Sequence, residues 1–121
     1  MSDKRFSGID GAVSSPELSA DYTDAAVFDN VRVGRLGVYF REGLRTRFLR
    51  YDRLERVFLR IHEVSGKLCC GSTVFQYFRL VFVVDGREYA DTISEHEDAM
   101  RAALAAIQAA APDVAIGFVK S

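Results

Sequence analysis

A run of short alternating strands from about Val27 to Thr92, followed by one amphipathic helix, constrains the fold more than any other feature of this chain. Strand side chains alternate between two faces, so each apolar face needs a covering layer. The order predicts a small curled sheet closed at its end by a single helix. That helix has the clearest signature. Ser94 and Glu97 have the spacing of a capping box, Met100, Ala103, Leu104, Ile107 and Ala111 form an apolar stripe, and Pro112 ends it.

The strands are bounded by turn residues. Val31-Arg32-Val33 alternates, Gly34-Arg35 turns, and Leu36, Val38 and Phe40 resume on one face. Glu42-Gly43 turns again, leading into Leu44 to Tyr51. Val57, Leu59 and Ile61 then alternate with Arg56, Arg60 and His62, which predicts a half-buried strand with a basic outer face. Phe58 breaks the alternation and predicts cover on both sides. Ser65 to Ser72 reads as a loop, and Val74 to Val84 as the longest and central strand. Asp85-Gly86 is a hairpin turn, Arg87 to Ile93 its return, and Val114 to Val119 a last strand able to pair with a sheet edge. At the other end, residues 1–15 read as a mobile arm, rich in Ser, Gly and Asp. Ser15-Pro16-Glu17 starts a short helix, with Leu18 and Tyr22 on one face. The chain thus divides into an arm (1–24) and one domain (25–121).

With 16 basic and 17 acidic residues, net charge predicts no steering to nucleic acid or membrane. The distribution is uneven. Nine arginines between Arg32 and Arg60 face only Glu42, Asp52 and Glu55, whereas the first thirty residues and the segment Asp85 to Asp98 are acidic. No stretch has the length of a membrane helix and Met1 to Pro16 lacks a signal-like apolar centre, which predicts a cytoplasmic protein. The preference for Arg over Lys and the abundance of Ala point to a GC-rich bacterial source.

The pattern Phe48-Leu49-x-Tyr51-x-x-Leu54-x-x-Val57 resembles a strand-to-strand step of bacterial pleckstrin-homology-like (PH-like) and GRAM-type domains. Arg60-Ile61-His62-Glu63-Val64, followed by Leu68-Cys69-Cys70-Gly71, resembles an uncharacterised bacterial family of that kind. The resemblance spans residues 27–111. It implies a mainly β, PH-like small barrel of about six or seven antiparallel strands capped by an amphipathic helix, a scaffold that hosts lipid binders, peptide binders and assembly modules. The chain departs from it in two ways. Six strands, not seven, precede the helix, and the first two are joined only by Gly34-Arg35, where lipid-binding members carry a long basic loop. The phosphoinositide site therefore does not carry over. A ferredoxin-like α+β sandwich is the alternative fold.

Arg41, Arg45, Arg47 and Arg50 are the candidate ligand-binding residues, because forked guanidiniums recognise carboxylate and phosphate groups. The competing explanation is a solvated face paired with Glu42, Asp52 and Glu55. Cys69 and Cys70, with His62 and His96, have the number for a tetrahedral zinc site, but adjacent cysteines lack the C-x₂₋₄-C spacing that grips one ion. Adjacent thiols also exclude a disulfide framework. No catalytic, phosphate-loop or RNA-stacking motif is present, so no enzyme, cofactor or nucleic-acid partner is expected. The expectation is a non-catalytic binding or assembly module for a protein partner, homo-oligomers included. The alternatives are an anionic lipid or phosphate ligand at the arginines, and a thiol or metal site at the cysteines.

Overall fold

A computed structural model describes residues 4–68 and 71–120. In chain order the elements are β1 (Phe6–Gly8), β2 (Gly11–Val13), α1 (Pro16–Asp24), β3 (Ala26–Phe28), β4 (Val31–Val33), β5 (Gly37–Glu42) and β6 (Arg45–Arg50). There follow β7 (Arg56–Leu68), β8 (Gly71–Val84), β9 (Arg87–Ser94), α2 (Glu97–Ala110) and β10 (Ala115–Lys120). The strands form two open mixed sheets, one ordered β2-β1-β6-β5-β4-β3 and the other β10-β7-β8-β9.

Local chemistry accounts for the boundaries. Ser15 caps α1 by accepting the Leu18 N–H at 3.1 Å, with Pro16 in the first turn. Asp85 and Gly86 both take positive φ, 53° and 77°, which the tight turn between β8 and β9 requires. Gly43, at φ 63°, does the same between β5 and β6. Asp29, also at positive φ, turns β3 into β4.

Two cores result. Val31, Val33, Val38, Phe40 and Leu49 of the six-stranded sheet meet Val57, Leu59, Phe78, Leu80 and Phe82 of the other. Met100, Ala103, Leu104 and Ile107 of α2 enter the same cluster, so the helix stripe is buried as its spacing predicts. Phe40 and Phe82 stack at 4.2 Å. On the opposite face of the six-stranded sheet, Tyr39 and Phe48 pack against Phe6, Leu18 and Tyr22 under α1. The second core needs the N-terminal residues, and Phe6 is buried in it.

The expected PH-like barrel is corrected by this arrangement. The described residues form ten strands in two open sheets with two helices, an α/β architecture with no closed barrel. The ferredoxin-like sandwich fails too, because there are two sheets, not one. Three local features lie behind the difference. Residues 6–13, read as part of an arm, are a hairpin whose β1 runs parallel to β6 at Ser7 and Arg47. The segment read as a loop at 65–72 continues the β7 and β8 ladder, which stays in register to Leu68 and Gly71. The last strand pairs in parallel with β7, against the all-antiparallel expectation. The β9 partners end at Phe78 and the β10 partners at Ile61, so residues 62–68 and 71–77 extend past both neighbours as a two-stranded ribbon. The capping box is also replaced. Ser94 ends β9 and donates to Asp29 Oδ2 at 2.6 Å, His96 holds the cap position of α2 without a side-chain bond, and Glu97 pairs with Arg101.

Candidate functional site

The six-stranded sheet is covered on both faces. The four-stranded sheet is covered on one. Its inner face joins the main core, and among the described residues no helix or sheet lies across its outer face. Register places Arg56, Phe58, Arg60 and His62 of β7 opposite Val83, Val81, Arg79 and Tyr77 of β8 on that outer side.

Phe58 and Val81 belong to neither core yet are only 5% and 1% exposed. Long polar side chains provide the cover over Phe58. The Arg56 and Arg60 guanidiniums each lie 5.1 Å from the Phe58 ring centre, a cation–π sandwich. Gly117 of β10 stands beside Phe58 in the register, and a Cβ there would approach Arg56 Nη2 to 3.3 Å. A glycine at that point leaves room for the guanidinium to lie flat.

Two of the three arginines are engaged. Arg60 holds Glu88 at 3.0 Å, and Arg79 holds Asp91 at 3.3 Å while its buried Nε has no hydrogen-bond partner among the described residues. Arg56 has no carboxylate within ion-pair distance among them. His62 stacks on Tyr77 at 4.8 Å, the ring planes nearly parallel. The arrangement offers a forked donor, partly desolvated guanidiniums and an aromatic ring on one uncovered strand pair.

The four arginines singled out from sequence divide between the faces of the other sheet. Register puts Arg45 and Arg47 on the side of Phe40 and Leu49, and Arg41 and Arg50 on the side of Tyr39 and Phe48. Arg47 is held internally, with Nε 2.8 Å from Glu42 Oε1 and Nη1 2.6 Å from the Tyr89 hydroxyl. Arg50 lies 3.7 Å from Asp52, and Arg41 and Arg45 are exposed. Cys69 and Cys70 lie outside the described residues. Of the histidines proposed beside them, His62 is on the outer face of β7 and His96 precedes α2.

A second polar site lies beneath α1, where Glu17, Asp21, Asp24, Val33, Gly34 and Arg35 line a cleft of about 580 Å³. The buried Asp21 carboxylate accepts the Arg35 and Leu36 N–H groups at 2.8 and 3.1 Å and the Tyr39 hydroxyl at 2.7 Å. Gly34 passes so close that a Cβ would stand 2.3 Å from Asp21 Oδ2. Burial, then the Asp21 hydrogen bond, raises the Tyr39 pKa far above its ordinary value. Burial, then the Asp21 charge, pushes Tyr51 up to about 12. Tyr51 donates to the Gly34 carbonyl at 2.5 Å. The groups on this carboxylate all come from the chain itself, and they fasten α1 to the turn between β4 and β5.

Sequence reasoning identified the basic outer face of Arg56, Arg60 and His62, and Phe58 as the break in alternation. It passed over Arg79 and Gly117. Arg79 becomes their neighbour only through the β7 and β8 register, which is invisible while residues 65–72 read as a loop. Gly117 carries no side-chain signal of its own. No family model, curated protein or solved structure matches the chain.

Proposed function

We propose that this protein is a cytoplasmic, non-catalytic binding module that docks an acidic segment of a protein partner on the outer face of the four-stranded sheet. The observation that carries this reading is Phe58, buried on an otherwise uncovered face by two arginine side chains. Arginine and aromatic side chains dominate binding energy when a partner desolvates them together. Carboxylates arriving from a partner pair with the Arg56 fork and compete with Glu88 for Arg60. As the guanidiniums swing outward, partner side chains replace them over Phe58. The apolar area is then buried twice in turn, first by the chain itself and then by its ligand.

Selection of a displayed random-peptide library against the folded protein tests this. Enrichment of peptides combining Asp or Glu with apolar residues is expected, with binding lost in Arg56→Glu and Arg60→Glu and retained in Arg45→Glu on the other sheet. Binding that vanishes with added salt but survives Phe58→Ala would reduce the site to nonspecific charge attraction. Phosphatidylserine vesicles retained by wild type, with no peptide selected, would replace the protein partner by an anionic lipid.

A further inference from the structure

Among the described residues the two sheets end in four edge strands, and three of them are guarded against further pairing. β2 and β3 have three residues each. β9 faces a bulge in its ladder at Phe82 and Val83, carries Arg87, Glu88 and Asp91, and has its Ile93 carbonyl occupied by Asn30 Nδ2 at 2.9 Å. β10 differs on every count. It has six residues in unbroken register with β7, no proline, and a single charge at Lys120.

Its backbone alternation is set by one bond. The Ala115 N–H donates to the Glu55 carbonyl at 3.2 Å. In a parallel ladder a residue that bonds its neighbour turns both backbone groups to it, and the next turns both away. Ala115, Gly117 and Val119 are therefore committed to β7, while Ile116, Phe118 and Lys120 direct their N–H and C=O groups to the open side.

We propose that β10 pairs antiparallel with β10 of a second copy, about a two-fold axis at Phe118. Open-side groups must meet open-side groups, which fixes the parity of the register. Centred on Phe118, the pairing sets Ile116 opposite Lys120 of the second copy and satisfies every open-side group of the strand. A two-fold edge must be its own complement, and this one is. The two lysines never face each other, and no other charge lies within the strand. The four-stranded sheets of both copies join into one, and the outer faces that carry Phe58 become continuous.

Sedimentation of the full chain from about 1 μM to about 1 mM, with amide exchange followed by NMR at both extremes, tests the inference. A concentration-dependent dimer is expected. In it the Ile116, Phe118 and Lys120 amides exchange at least about tenfold more slowly than in the monomer, while Gly117 and Val119 are protected in both states. Lys120→Pro removes an open-side donor without touching the β7 ladder, and is expected to weaken the dimer by about tenfold. Arg56→Glu is expected to leave it intact, which separates this interface from peptide binding on the outer face. A monomer at every concentration overturns the inference. So does a dimer in which Ile116 and Phe118 exchange as fast as in the monomer.

Discussion

The two sheets solve the problem of their second face differently. The six-stranded sheet receives α1 and Phe6, and its outward Tyr39 and Phe48 end in a closed aromatic cluster. Among the described residues the four-stranded sheet has no such layer, and its outward Phe58 is covered by arginines from its own strand. A layer fixed by backbone cannot leave without partial unfolding, whereas a guanidinium swings away by side-chain rotation. The difference teaches that burial alone does not separate core from binding surface. What separates them is whether the cover can be exchanged.

The largest effect lies in the core that the two sheets share. Leu104→Ala or Ile107→Ala removes a fully buried side chain of α2 and is expected to cost about 2–5 kcal/mol in chemical denaturation. Asp21→Ala deprives two amides and a phenol of their acceptor and should cost roughly 2–3 kcal/mol by the same measurement. If Asp21→Ala were neutral, α1 would not be fastened as described and the two sheets would be alike.

Tyr51→Phe comes next, losing the bond to Gly34 at about 1 kcal/mol near neutral pH. The sign of its pH dependence follows from the raised folded pKa. The Tyr51 contribution is complete below the unfolded value near 10, and it declines as pH rises from there through about 12. Spectrophotometric titration should show the Tyr51 phenolate forming about two units late, and Tyr51→Phe should flatten the alkaline loss of stability. Arg56→Ala is expected to move stability least, within about 0.5 kcal/mol, while abolishing peptide binding. A loss of several kcal/mol there would make the arginine cover structural and erase the contrast between the sheets.

How much of this was legible depended on how local the cause was. The α2 stripe, the Ser15 cap and the Asp85-Gly86 turn are written in neighbouring residues, and each folds as spelled. Phe6 and Ser7 could not be read as a strand, since their partners Tyr39 and Arg47 lie far along the chain. Ser94 was misassigned for the same reason. Its hydroxyl donates to Asp29, across the molecule, and accepts only the N–H of His96 where α2 begins, not that of Glu97. The break at Phe58 did signal cover on both sides, but not that the second cover would be arginine.

The parallel pairing of β10 with β7 also has a kinetic consequence. It joins residues about sixty positions apart, so it carries one of the larger loop-closure entropies in the molecule. The antiparallel hairpins around it close over far shorter loops. During synthesis, therefore, the β7 edge stands bare until residues 115–120 have been made, and β10 covers that edge when it pairs.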